Sequence, residues 1–234
     1  VKAVIRGRAN SGVLPIENSL HGSVLENYDL LLHHHLFIIG EVKLRIVHHL
    51  LAHKTVSLDQ IRRVYSHPQA LAQCRSFLKK LSHAEPLAFY DTAGAAKFVV
   101  EQKFADAAAI ASAQAARVYG LKVLARGIEN NHQNYTRFLV LARYPVTATT
   151  QAKTSVVFTV KNVPGSLYTA LSSFAARKIN LHKVESRPIV GRPWEYLFYV
   201  DFEGSVNEHR CSEAIESLRK VASSVRVLGS YPKG

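Results

Sequence analysis

Four short polar segments of the 234-residue chain carry the side chains best suited to chemistry. They are Pro15-Ile16-Glu17-Asn18-Ser19, Ser66-His67-Pro68-Gln69, Asp91-Thr92-Ala93-Gly94 and Asn134-Tyr135-Thr136-Arg137-Phe138. Three fall at the ends of predicted strands, where open α/β sheets bind ligands. The Asp91 segment opens a helix, as does Ser66-His67-Pro68, whose helix carries Gln73 one turn further on. Hydroxyls and backbone N–H groups at helix N-termini favour anions, and Arg137 adds a fork suited to a carboxylate. Taken singly, each segment also has a structural reading. Ser66, Asp91 and Thr92 serve as N-caps, Asn18 and Ser19 as turn residues, and Arg137 as a surface charge. No Gly-x-Ser-x-Gly elbow, Ser-His-Asp set or Gly-rich phosphate loop appears in the sequence.

The elements that must position these groups follow from composition and pattern. Hydrophobic residues make up 47% of the chain and charged residues 20%, enough apolar material for a substantial core. The formal net charge of +13 is spread along the chain without a basic block, which argues for solvated surface and against a nucleic-acid groove. Cys74 and Cys211 form no Cys-x-x-Cys pair, and His33-His34-His35 and His48-His49 point in different directions, so no metal site is expected. No apolar run approaches the ~20 residues needed to cross a bilayer, so no membrane partner is expected. The chain opens at Val1 and contains no Met. Its native start is therefore expected further upstream, together with any targeting segment.

Val1–Gly7 reads as a helix end, Gly12–Ile16 as a buried strand, Val24–His35 as a helix and Leu36–Leu51 as one strand. Strand and helix signals then alternate: strand 61–66, helix 68–81, strand 87–90, helix 92–102, strand 107–110, helix 113–119, strand 136–142. That alternation argues for an α/β region with largely parallel sheets. Tyr144–Lys153 lacks apolar periodicity and is the expected boundary, dividing residues 1–146 from 154–234. The second part reads strand 155–160, helix 165–177, strands 179–187 and 195–202, helix 208–222, strand 225–231. This is the βαββαβ order of a ferredoxin-like unit.

Together the segments carry a resemblance. Gly12-Val13-Leu14-Pro15-Ile16-Glu17-Asn18-Ser19, Ser66-His67-Pro68-Gln69-Ala70-Leu71-Ala72-Gln73-Cys74, Asp91-Thr92-Ala93-Gly94 and Thr136-Arg137-Phe138 resemble signatures of the prephenate and arogenate dehydratases. Gly165-Ser166-Leu167-Tyr168 stands where that family carries a Gly-Ala-Leu-type motif, and Glu185-Ser186-Arg187-Pro188 matches its regulatory Glu-Ser-Arg-Pro motif. Asn27-Tyr28-Asp29-Leu30 is most similar to the plant arogenate dehydratases and their bacterial relatives.

The resemblance implies a two-lobed, periplasmic-binding-protein-like catalytic region followed by a ferredoxin-like ACT domain. It implies decarboxylating dehydration of prephenate to phenylpyruvate, or of arogenate to phenylalanine, in phenylalanine biosynthesis, with no cofactor. Thr136 would assist the leaving hydroxyl, and Asn18, Ser66 and Gln73 would complete a hydrogen-bonding shell in a cleft between lobes. Arg137 would bind a substrate carboxylate, with Ser19, Thr92 and Phe138 also lining the substrate. Phenylalanine would bind at Gly165, Ser166, Leu167, Glu185, Ser186, Arg187 and Pro188 in a homodimer or homotetramer. The compartment would be a bacterial cytoplasm or a plastid stroma. The family's opening strand and its Gly-Pro-x-Gly-x-x-Ser loop do not occur in this sequence. On that basis the chain as given is expected to turn over little substrate while keeping phenylalanine binding. The alternative is a catalytically inactive binding module for an amino acid or similar small molecule.

Overall fold

The computed structural model describes residues 1–146, 148 and 151–234. Thr147, Thr149 and Thr150, inside the expected boundary segment, lie outside the described residues. Along the chain run α1 (Lys2–Ile5), β1 (Ser11–Asn18), β2 (Gly22–Ser23), α2 (Leu25–His33), β3 (Phe37–Arg45), β4 (His49–Ala52) and a short 3-10 turn. Then come β5 (Arg63–Ser66), α3 (Pro68–Gln73), α4 (Arg75–Lys80), β6 (Glu85–Ala88), α5 (Thr92–Glu101), β7 (Ala107–Ala111), α6 (Ala113–Tyr119) and β8 (Lys122–Ala125). The chain continues with β9 (Tyr135–Ala142), β10 (Ala152–Thr159), α7 (Ser166–Ala175), β11 (Leu181–Ile189), β12 (Arg192–Glu203), α8 (His209–Val221) and β13 (Ser224–Pro232). Two compact units result: Val1–Leu44 with Thr136–Gly234, and Arg45–Tyr135. Among the described residues no helix is long and apolar enough to cross a membrane.

In the Arg45–Tyr135 unit, five strands pair in the order β6-β5-β7-β4-β8. Strands β4 and β7 are buried along their whole length, apolar apart from His49 at the start of β4, because both faces are covered. Leu50, Val64, Ala108 and Ile110 pack on one side, and Leu51, Ala95, Val99, Ala107 and Ala109 on the other. The expectation of a largely parallel sheet is corrected here. Helical crossovers make β5 parallel to β6 and β7, but β4 is antiparallel to both β7 and β8. Only a loop with one 3-10 turn follows β4, so no crossover helix sets its direction.

Two further element expectations change. The apolar run 36–51 is two strands in different sheets, β3 and β4. The helix expected over 68–81 breaks at Cys74 into α3 and α4. Asn130 fills the gap: its N–H donates to the Gln73 carbonyl at 2.7 Å, and its Oδ1 accepts from the Ser76 N–H at 3.0 Å. Asn130 thus satisfies backbone groups that the break releases, one with its backbone N–H and one with its side chain.

In the other unit, β2-β1-β9-β3 form one sheet and β11-β12-β10-β13 a second. The second sheet pairs antiparallel throughout and with α7 and α8 makes the expected ferredoxin-like unit. Alternation along its strands gives it two buried faces. Val156, Phe158, Val200 and Phe202 meet Ala170, Phe174, Ala214 and Leu218 of the helices. Val157, Leu197, Tyr199, Leu228 and Tyr231 join Ile16, Tyr28, Leu31, Ile38, Leu139 and Leu141 in one core. The approach is close enough that a side chain at Gly229 would collide with the Ile38 carbonyl oxygen.

Candidate active site

The Asn18–Thr136 pair depends on one irregularity in β1. Strand β9 alternates, burying Arg137, Leu139 and Leu141 toward the ferredoxin-like sheet and leaving Thr136, Phe138 and Val140 half-buried on the opposite face. Leu14 lies across from Leu139 and packs on that core. Strict alternation from Leu14 would turn Asn18 into the core as well. The β1·β9 register instead shifts between Pro15 and Glu17. Pro15 has no N–H to give a ladder, which makes it a natural place for a bulge. With one residue inserted, Glu17 pairs with Arg137 and Asn18 with Thr136.

Asn18 Nδ2 donates to Thr136 Oγ1 at 3.1 Å. The orientation of the amide follows from its other end, where Oδ1 accepts the backbone N–H groups of Leu20 at 3.0 Å and His21 at 3.2 Å. That Asx turn shapes the β1–β2 connection. With Oγ1 accepting from Asn18, the Thr136 hydroxyl keeps its own proton to donate.

Arg137 lies on the other face. Its Nη1 donates to Asp201 Oδ2 at 2.5 Å and Glu41 Oε2 at 3.3 Å, and Nε is 3.4 Å from Glu17 Oε2. Burial works against its charge, but the Asp201 carboxylate outweighs that and holds the guanidinium firmly protonated. Lys153 Nζ donates to both Glu41 oxygens at 2.7 and 2.8 Å, and Ser155 Oγ donates to Asp201 Oδ1 at 2.5 Å. Burial, partly offset by Glu41, lowers the Lys153 pKa. The expectation that Arg137 meets a substrate carboxylate does not fit this placement. Neighbouring residues on a strand face opposite ways, and its fork is already engaged by carboxylates.

The Arg45–Tyr135 unit holds a second polar group. Asn134 Nδ2 donates to Gln73 Oε1 at 3.1 Å, and that oxygen lies 2.8 Å from His48 Nε2. An oxygen can only accept, so His48 carries its proton on Nε2. Glu129 Oε2 accepts the His48 backbone N–H at 3.0 Å. Burial would raise the Glu129 pKa, but backbone hydrogen bonds and His132 bring it below the usual carboxylate range. Ser66 is fully buried and its hydroxyl donates to the Ile110 carbonyl at 2.6 Å, so its proton ties β5 to β7. It does not cap α3, where His67 accepts from the Gln69 N–H, whereas Asp91 does cap α5. Thr92 opens α5, and Ser19 is exposed in the β1–β2 turn.

Alternation divides the Glu-Ser-Arg-Pro segment of β11. Ser186 pairs with Phe198 and Pro188 with Tyr196. Phe198 and Tyr196 line a small cavity together with Ser166, Leu167 and Trp194. Gly165 starts α7 at φ +82°, a left-handed conformation suited to glycine. Glu185 and Arg187 face the other way. Arg187 clamps Asp29 through Nη2 at 2.7 Å and Nε at 3.2 Å, and Ser23 Oγ donates to Glu185 Oε2 at 2.5 Å. Of the effector residues expected from sequence, Ser166 and Leu167 thus line the cavity, while Glu185 and Arg187 reach the β1–β2–α2 segment.

Sequence reading assigned no role to Glu41, Lys153, Asp201 or His48. One signal was present: Asp201 interrupts the apolar run Tyr199-Val200-Asp201-Phe202, and a buried charge requires a partner.

Comparison with known proteins places the chain in a family. The chain is 51% identical to arogenate dehydratase 2 of Petunia hybrida, covering 99% of this chain and 62% of that protein. It thus spans about three fifths of the length of that relative. The structure of prephenate dehydratase from Arthrobacter aurescens in complex with L-Phe matches with a TM-score of 0.89 at 33% identity, over 99% of this chain and 78% of that one. GqqA, described as a novel type of quorum-quenching acylase, matches with a TM-score of 0.91 at 36% identity, over 100% of this chain and 85% of its own. The prephenate dehydratase family model matches residues 1–146, and the chain belongs to that family.

Proposed function

We propose that the protein catalyses decarboxylating dehydration of prephenate to phenylpyruvate, or of arogenate to phenylalanine, under feedback control by phenylalanine. The observation that carries this reading is the Asn18–Thr136 hydrogen bond on the half-buried face of β1 and β9. The relative described as an acylase has the same fold, so the reading rests on these residues and the family match and not on fold.

In the reaction the bond from ring to carboxylate breaks, its electron pair enters the ring as carbon dioxide leaves, and the C–O bond breaks to release hydroxide, which takes a proton from solvent to become water; aromatisation supplies the driving force. A threonine hydroxyl is a weak acid, so its part is to donate a hydrogen bond to the departing oxygen. Asn18 contributes twice: it fixes the Thr136 rotamer, and its donation to Oγ1 strengthens the hydroxyl as a donor. Gln73 is assigned to substrate hydrogen bonding, with its amide held by His48 and Asn134. Phe138, on the Thr136 face of β9, is assigned to the substrate ring. The division into a catalytic region, residues 1–146, and an ACT domain, residues 154–234, is part of this proposal. So is phenylalanine binding beside Ser166, Leu167, Ser186 and Pro188 in a homodimer or homotetramer. An L-Phe complex of a family member supports it.

The test is turnover of prephenate and arogenate side by side by the full-length protein, with and without millimolar phenylalanine. At least one substrate should give its aromatic product, and phenylalanine should change the rate. Phenylalanine binding without turnover of either substrate would favour the inactive binding module.

A further inference from the structure

Lys183 reaches from β11 of the ferredoxin-like sheet to the segment that presents Asn18. Its Nζ donates to Glu17 Oε1 at 3.0 Å and to Ser23 Oγ at 2.9 Å, and lies 3.3 Å from Glu185 Oε2. Glu17 and Ser23 are direct partners across the β1·β2 ladder, and Asn18 and Gly22 are the next pair. Lys183 therefore ties together both strands that enter the turn. That turn is the one whose backbone N–H groups hold Asn18 Oδ1. The bulge in β1 puts Glu17 on the Lys183 side and Asn18 on the Thr136 side, so one strand carries the grip on one face and the reacting group on the other. From Lys183 to Arg187 the β11·β12 register is unbroken, so Lys183, Glu185 and Arg187 share one face of β11. The lysine side chain is only 14% exposed, so solvent does little to weaken the contact.

We propose that Lys183 is a positioning residue for the reaction. Through Glu17 and Ser23 it sets the β1–β2 turn and hence the place of Asn18 against Thr136, giving the ferredoxin-like sheet a hold on the catalytic pair. The inference rests on the Asn18–Thr136 reading. Without the ammonium group, Glu17 keeps only its longer contact with Arg137 and faces the Glu185 carboxylate across Ser23, and the repulsion loosens the turn.

The test compares Lys183→Met, which keeps the apolar stem, with Lys183→Arg, which keeps the charge, in the full-length protein. Lys183→Met should lower kcat by about 10- to 100-fold, the effect of a small misplacement of a reacting group, with KM within about twofold. Lys183→Arg should recover most of the loss. In an Asn18→Ala background, Lys183→Met should cost little more, because both changes disable one device. Unchanged kcat in Lys183→Met, or a full additive loss on top of Asn18→Ala, overturns the proposal. If Lys183→Met does not fold, Ser23→Ala decides: a lowered kcat at normal KM supports the proposal, and wild-type kcat overturns it. Full activity in Asn18→Ala itself would defeat the underlying reading, an outcome distinct from failure at Lys183.

Discussion

Thr136 and Arg137 are neighbours that do different things because a strand turns successive side chains to opposite faces. Thr136 stands beside Asn18, whereas Arg137 is held among Asp201, Glu41 and Glu17. Removing one member of such a buried group leaves its partner charged and poorly compensated. Asp201→Ala should therefore destabilise the protein by about 3 kcal/mol, the low end for a broken buried pair because Glu41 remains beside Arg137. Urea unfolding followed by circular dichroism measures this, and a loss below the error of the fit would mean that the pair contributes little. The motif residues themselves were legible in the sequence, Thr136 and Asn18 as members of polar segments at strand ends and their roles through the family resemblance. The destination of Arg137 was not, because its partners Asp201 and Glu41 lie far away in the chain and are brought to it by the packing of two sheets.

At the scale of elements, sequence pattern located strands and helices well where periodicity was strong and failed where distant groups decide. Strand β1 was readable, but not the bulge that turns Asn18 to Thr136; only Pro15 hinted at it. The break between α3 and α4 depends on Asn130, more than fifty residues downstream, which no local pattern announces. The division of the run 36–51 into β3 and β4 likewise reflects which sheet each half joins. Strand β4 also carries a pH-dependent contact. The Gly127 N–H donates to His49 Nδ1 at 3.2 Å, which requires neutral imidazole at that nitrogen. Burial, with Arg126 nearby, lowers the His49 pKa below its ordinary 6.5. As pH falls below that value the unfolded chain takes up the proton first, so stability decreases from there down through the folded pKa. The melting temperature should fall as pH drops below about 6.5, and His49→Gln should flatten that slope. An unchanged slope in the variant would show that His49 is not the group responsible.

At the scale of the molecule, a ferredoxin-like sheet is buried on both faces, by its own helices and by the sheet that carries Asn18 and Thr136. A change on the helix-covered face, where Ser166 and Leu167 line a cavity, has only the thickness of one sheet to cross before it meets Lys183, Glu185 and Arg187. Effector control of the proposed reaction therefore needs no long pathway, only two arrangements of that sheet that bind the effector unequally. All of this presupposes that Thr136 acts on the substrate. The most direct test is kcat for prephenate and arogenate in full-length Thr136→Ala, with folding verified by circular dichroism and melting temperature. A folded variant should lose at least about 100-fold in kcat, the lower range for a positioned proton or hydrogen-bond donor. Turnover close to wild type in a folded Thr136→Ala protein would contradict the account and move the chemistry away from the Asn18–Thr136 pair.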